Sequence, residues 1–354
     1  MGRRALSAAL AATAPALVGS GKGLLAMDES TSTCNRRFAE AGIPQTEAAR
    51  RAYRELLVTA PGLGQHISGA ILFDETIRQA DRHGTPFVDR LLAAGVIPGI
   101  KVDLGARDLA LHPGEKVTEG LDGLRARLQD YEQMGARFAK WRAVLGIGDC
   151  LPGTACVGAN AHALARYAAL CQEAGLVPIV EPEVLMDGPH TMQRSGEVTH
   201  AVLYAVFDAL DAQGVALEGM ILKPNMVLPG LSCPVQDGVE AVASATLACF
   251  RRTVPAAVAG VAFLSGGQSA ELASARLNAM NAGHGSRAGR SPWPLVFSFG
   301  RALQQPALEI WRGDDANAAA AQRALIHRAA CNGAALRGAY SAAMERGPAL
   351  QMAS

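Results

Sequence analysis

Lysine is scarce in this sequence: of 33 basic residues only five are lysines, Lys22, Lys101, Lys116, Lys140 and Lys223. Generic positive charge is supplied by arginine, so each retained lysine invites a chemical reason. Arginine, with a pKa above about 12, cannot shed its proton to become a nucleophile, whereas a lysine amine can. An excess of either charge is also lacking. The 33 Lys plus Arg against 32 Asp plus Glu give no support to a nucleic-acid partner or a membrane surface, so any anion site must be local. No apolar run approaches the roughly 18 residues that a membrane span requires. The seven cysteines, Cys34, Cys150, Cys156, Cys171, Cys233, Cys249 and Cys331, are odd in number, scattered and free of any CxxC pair. That excludes a zinc ribbon or dithiol redox motif and fits a reducing cytoplasm. The eight histidines show no HxH, HxxH or HExxH spacing, so no metal is expected and they read as surface or helix-packing residues. The opening Met1 to Val18 superficially resembles a signal peptide, but Ser7, Thr13 and Pro15 break its apolar run, and export is not expected.

What is present is ordinary globular material: 354 residues, 49% apolar and 18% charged. Short apolar, β-rich runs recur at Leu24 to Asp28, Ile67 to Phe73, Ile97 to Asp103, Phe138 to Leu145, Val177 to Glu183, Met220 to Asn225, Val261 to Ser265 and Leu295 to Phe299. Between them lie helical stretches, recognised by period and by caps. Thr85 and Pro86 read as cap and first helical residue before Phe87; Asn160 reads as the cap of a segment ending at Gly175; Asp237 with Glu240 reads as a capping box. Strand and helix alternating eight times predict an α/β fold, a single (β/α)8 TIM barrel. A doubly wound open sheet is the runner-up, but no GxGxxG turn opens the first unit. The whole chain, 1–354, reads as one domain. The barrel occupies about residues 20–335, with an extra N-terminal helix and a C-terminal tail from about 336 packed outside it.

In such barrels the C-terminal strand ends carry the active face, and the polar residues gather there. Asp28 ends the first strand, Lys101 and Asp103 the third, Lys140 and Arg142 the fourth, Glu181 and Glu183 the fifth, Lys223 and Asn225 the sixth, and Ser265 the seventh. Alternation along a strand makes each i, i+2 pair point the same way. Three ammonium groups and several carboxylates then share one pocket. Burying such charges without function is costly, but imine chemistry needs them: one lysine must be neutral near pH 7, which other ammonium groups promote, and carboxylates must move protons. Lys223, flanked by apolar residues and Pro224 with no acidic neighbour in sequence, is the best nucleophile. For phosphate, Ser265-Gly266-Gly267 after the seventh strand and Gly300-Arg301 after the eighth offer backbone N–H groups and a guanidinium, in the loops where barrels commonly hold it.

These segments are similar to those of class I fructose-bisphosphate aldolases. The matching stretches are Leu25 to Thr31, Gly99 to Asp103, Phe138 to Arg142, Val180 to Glu183, Leu222 to Met226, Phe263 to Ser269 and Phe297 to Leu303, in family order. The resemblance implies reversible cleavage of fructose 1,6-bisphosphate to dihydroxyacetone phosphate and glyceraldehyde 3-phosphate, with no cofactor and no metal, by a cytoplasmic homo-oligomer, a tetramer. It implies the Schiff base at Lys223, proton shuttling at Glu181 beside Glu183, and action of Asp28 with Lys140 on the C4 hydroxyl. The phosphate next to the ketone is implied at Ser265, Gly266 and Arg301, and the distal one at Lys101 and Arg142, with Thr33 and Arg37 in reach. The sequence departs from the family in two places. It ends Gln351-Met352-Ala353-Ser354, where the animal enzymes carry a longer tail ending in tyrosine, and it has Arg36 where lysine is common. Two anion regions favour the bisphosphate over another imine-forming barrel such as a transaldolase. A non-catalytic sugar-phosphate scaffold would have no need of Lys223, Glu181, Asp28 and Lys140 together.

Overall fold

All eight expected runs become barrel strands in the computed structural model, which describes residues 7–282 and 291–346. The strands, in chain order, are β1 (Gly23–Ala26), β2 (Ile67–Leu72), β3 (Ile97–Lys101), β4 (Ala106–Asp108), β5 (Lys116–Thr118), β6 (Phe138–Leu145), β7 (Val177–Val184), β8 (Ile221–Leu222), β9 (Gly260–Phe263) and β10 (Leu295–Phe299). Eight of them pair in parallel and close into a barrel in the order β1, β10, β9, β8, β7, β6, β3, β2. Strands β4 and β5 form a separate antiparallel hairpin in the connection after β3. That hairpin was not foreseen.

Buried on both faces, the strands are apolar almost throughout, as parallel strands must be. Outward-facing Trp141, Phe263 and Leu222 pack under the surrounding helices, with Trp141 against Tyr167 at 5.6 Å and Phe250 stacked on Phe263 at 5.7 Å. Inward-facing Leu24, Ile71, Phe138, Val177, Ile179, Ile221, Ala262 and Val296 make a second cluster. It includes Leu10, Ala14, Leu17 and Val18. The N-terminal helix, Ala8–Val18, therefore lies outside the barrel wall, as expected, but closes the N-terminal mouth instead of resting on the flank. Space there is fully used: a Cβ on Gly260 would come within 2.7 Å of Val18, and one on Gly99 within 2.2 Å of the Phe138 ring. Ser68 fixes the helix by donating to the carbonyls of Leu17 (2.6 Å) and Gly23 (3.0 Å).

Three helix starts differ from expectation. The helix expected to begin at Asn160 begins at Thr154, with Gly153 at its cap. Asn160 lies inside it, and its amide donates to Lys116 O (2.8 Å) and accepts from Thr118 N (3.2 Å), anchoring the hairpin. The helix Val239–Thr253 is capped by Gly238, not by Asp237 with Glu240. Phe87–Ala93 follows Pro86 as its cap, because Asp81 already gathers the turn by accepting from His83 N and Thr85 N. At the other end, the helix Ala318–Leu336 packs on the barrel's exterior through Ala321, Leu325 and Ala329. The last residues of the expected tail, 347–354, and His284 lie outside the described residues. No helix among the described residues is long and apolar enough to cross a membrane.

Candidate active site

Following β6, β7, β8 and β10 upward, the inward positions change character within two residues. Phe138 is succeeded by Lys140, Ile179 by Glu181, Ile221 by Lys223 and Val296 by Ser298. These side chains, with Asp28 just past β1, line a cleft of about 790 Å³ at the C-terminal mouth. Asp28, Lys101, Lys140, Arg142, Glu181, Glu183, Lys223, Ser265, Gly266, Gly267, Gly300, Arg301, Thr33 and Arg37 all border it. A smaller hollow of about 310 Å³ between Glu55, Asp81 and Trp311 contains cations already paired to those carboxylates.

At the centre, Lys140 Nζ lies 2.6 Å from Asp28 Oδ2 and 3.3 Å from Glu181 Oε2, while Lys223 Nζ lies 3.0 Å from Glu181 Oε1. All four side chains are nearly or fully buried. Burial opposes the charge on Lys140, but Asp28, Glu181 and Asp103 outweigh it and hold its pKa well above the ordinary lysine range. Burial likewise opposes the charge on Asp28, yet Lys140 and Lys223 bring it from 3.8 down to about 2. Glu181 is lowered too, against its burial, by Lys140, then Lys223, then Arg142. Lys140 is thus a fixed cation and both carboxylates are ionised at neutral pH.

Two flanks follow from the ring order, because β9 and β10 stand diametrically across the barrel from β3 and β6. On one flank Gly266 and Gly267 take φ of +30° and +66°, which suits glycine, and a Cβ on either would strike Met186 at 2.2 and 2.9 Å. Successive backbone N–H groups in a turn of this kind are suited to an anion. Beside it Gly300 caps the helix Arg301–Trp311, and the exposed side chain of Arg301 forms no hydrogen bond or ion pair with described residues. On the opposite flank Lys101 Nζ is held by Asp103, 2.6 Å from Oδ1 and 2.6 Å from the carbonyl, and Arg142 is paired to Glu183. Asp103 also accepts from Arg142 N (3.2 Å) and Gly105 N (3.1 Å), so one carboxylate fixes this whole corner.

One expected pairing fails. Asn225 does not join Lys223 in the cleft: its amide accepts from Val184 N (3.0 Å) and donates to Thr199 Oγ1 (3.2 Å). Regular strand geometry stops at Leu222, so alternation no longer aims the side chains beyond it. Arg36 is exposed and outside the lining. Residues that sequence reasoning missed include Glu29, which binds Arg37 (2.6 Å) and buried Arg54 (2.7 Å) and accepts from Gln304 (2.9 Å). Gln304 also donates to Ala26 O (2.6 Å) and accepts from Tyr53 (3.0 Å), tying the end of β1 to the helix that starts at Arg301. Glu29 adjoins Asp28 in a quoted stretch, but nothing local signals Arg54 or Gln304. Among the described residues one group, His327, Cys331 and Glu345, has metal-ligand chemistry at close range. It lies away from the cleft, and Glu345 there is engaged by Arg328 and Tyr340.

A closed (β/α)8 barrel with a lysine and carboxylate cluster buried at its C-terminal mouth, between Arg301 on one flank and Lys101 with Arg142 on the other, is the architecture of a sugar-phosphate lyase. Residues 9–353 match the family described as "Fructose-bisphosphate aldolase class-I". The chain is 57% identical over 332 residues to the "Probable fructose-bisphosphate aldolase class 1" of Xanthomonas axonopodis pv. citri, covering 94% of this chain and 98% of that one. It is 52% identical to "Fructose-bisphosphate aldolase 6, cytosolic" of Arabidopsis thaliana, over 90% and 88% of the two chains. The fold superposes with a TM-score of 0.92, at 47% identity and 96% and 98% coverage, on fructose-bisphosphate aldolase from Plasmodium falciparum in a complex with TRAP and a small-molecule inhibitor. The chain belongs to the class I fructose-bisphosphate aldolase family. Its reaction is the reversible aldol cleavage of fructose 1,6-bisphosphate to dihydroxyacetone phosphate and glyceraldehyde 3-phosphate through a lysine Schiff base.

Proposed function

We propose that Lys223 is the amine that attacks the C2 ketone, and that Glu181 gives and takes the protons as the carbinolamine loses water to become the imine. The observation that carries this is the position of Glu181 between the two lysines, 3.0 Å from Lys223 and 3.3 Å from Lys140. Lys140, held as a cation by Asp28 and Glu181, cannot supply the free electron pair. Its charge is suited instead to the C4 oxygen. Asp28 accepts the C4 hydroxyl proton while the C3–C4 bond breaks, its electrons flow into the iminium, and glyceraldehyde 3-phosphate leaves as the aldehyde. Protonation of the enamine at C3 and hydrolysis of the imine then release dihydroxyacetone phosphate and restore Lys223.

Ser265, Gly266, Gly267, Gly300 and Arg301 hold the phosphate beside the ketone. Lys101 and Arg142, with Thr33 and Arg37 alongside, hold the far one, and Glu183 fixes the Arg142 guanidinium. The opposed flanks support a bisphosphate stretched across the mouth. By family membership the protein acts in the cytoplasm as a homo-oligomer, a tetramer, which light scattering would test.

The role of Glu181 is tested by washout of ¹⁸O from the ketone of labelled dihydroxyacetone phosphate, which exchanges only as the imine forms and reverses. Glu181→Gln should slow washout above the spontaneous background by about 10²-fold, the contribution of one positioned proton carrier. Washout at the unsubstituted rate would assign the proton transfer to another group.

A further inference from the structure

Seven basic side chains line the cleft, and five of them already have an acidic partner: Arg37 has Glu29, Lys101 has Asp103, Lys140 has Asp28 and Glu181, Arg142 has Glu183, and Lys223 has Glu181. An anion arriving at Lys101 and Arg142 therefore meets two positive charges that carboxylates have largely matched. Two guanidiniums are left. Arg301 stands on the β10 side of the mouth with no side-chain partner among the described residues. Across the mouth stands Arg107, on β4 of the hairpin that follows β3, and its one ion pair among the described residues is with Glu119 at 3.8 Å, with both side chains more than 60% exposed. A pair so long and so wet contributes little, leaving the guanidinium free to bind elsewhere.

The hairpin carrying Arg107 is not a loose flap. Thr118 on β5 donates its hydroxyl to Arg142 O at 2.8 Å and its N–H to Asn160 at 3.2 Å, and Gly153 N donates to Glu115 at 2.6 Å. At its base Asp103 receives Gly105 N, and Gly120 has φ +127° where a Cβ would come within 2.9 Å of Leu104 N. The same carboxylate that clamps Lys101 and the same strand residue that carries the Arg142 guanidinium thus hold the arm on which Arg107 sits.

We infer that Arg107 is a specificity-determining residue, extending the distal anion subsite of Lys101 and Arg142 with an uncommitted guanidinium that contacts the phosphate farther from the ketone. It favours substrates phosphorylated at both ends over those phosphorylated only beside the ketone. A guanidinium can bind two phosphate oxygens in parallel, whereas an ammonium acts as a point charge.

The inference rests on the bisphosphate reading above, so its test uses two substrates. Steady-state kinetics of Arg107→Ala and Arg107→Lys are measured on fructose 1,6-bisphosphate and on fructose 1-phosphate, which lacks the distal group. Arg107→Ala should raise KM for the bisphosphate about fivefold, the scale of one solvent-exposed charged contact, with kcat unchanged and both constants for fructose 1-phosphate unchanged. Arg107→Lys should recover part of the loss. A bisphosphate KM within twofold of the unsubstituted enzyme, or an equal rise on both substrates, overturns the inference while leaving the aldolase reading intact. An unsubstituted enzyme that cleaves neither substrate overturns both.

Discussion

At the N-terminal mouth Phe138, Ile179, Ile221 and Val296 turn inward and meet Leu17 and Val18; two residues further along the same strands the inward side chains are Lys140, Glu181, Lys223 and Ser298. Along β6, β7 and β10 strand geometry and alternation run through both mouths, so the difference there is one of chemistry. The lower mouth buries apolar surface at roughly 25 cal/mol per Å² and needs no partners to be stable. The upper one takes charges out of water at a cost of several kcal/mol per ion, only partly restored by pairing. Stability is concentrated at the closed end and reactivity at the open end. Ser298 illustrates the second: its hydroxyl is buried and has no partner among the described residues.

Substitutions at the two ends should separate these roles. The largest effect is expected at the open end: Lys223→Ala should lower kcat by about 10⁴-fold or more, as removal of a covalent nucleophile does. Its thermal midpoint should hold or rise, since a buried polar amine is deleted while Glu181 keeps Lys140. A marked fall in the midpoint would mean that the cluster is structural. At the closed end Leu17→Ala should cost roughly 3 kcal/mol in urea unfolding by opening a cavity among fully buried neighbours, with kcat within about twofold. A comparable loss of activity would show that the lower mouth communicates with the upper.

A smaller effect is expected from acid. The pKa of Asp28 is lowered from 3.8 to about 2 by folding, so its ionisation contributes stability that is complete above 3.8 and lost as pH falls toward 2. The contribution is on the order of 2 kcal/mol, about half of it gone at pH 3. Urea midpoints of the parent and of Asp28→Asn should differ at pH 6 and converge toward pH 3. A gap that does not narrow would remove Asp28 from the ionic account.

Much of this division was legible in the sequence because it follows local rules. Eight apolar runs marked the strands, and the polar residues at the ends of six of them, from Asp28 to Ser265, marked the face on which chemistry gathers. What escaped detection depends on partners distant in sequence. Asn160 has the residue type of a cap, yet it bonds to Lys116 and Thr118 more than 40 positions earlier. The hairpin escaped because its three-residue strand Ala106–Asp108 is exposed throughout and carries no apolar alternation. Asn225 misled because only Ile221–Leu222 is true strand at that stave. The ion pair of Arg54 with Glu29 spans 25 positions and has no local signature.

The central claim is that Lys223, and not the locked cation Lys140 beside it, forms the covalent bond. Borohydride reduction with dihydroxyacetone phosphate in the presence of EDTA, followed by peptide mass spectrometry, tests it most directly. A three-carbon phosphate adduct on Lys223 alone is the predicted result. An adduct on Lys140 or Lys101, or folded protein with Lys223 unmodified, would contradict the account.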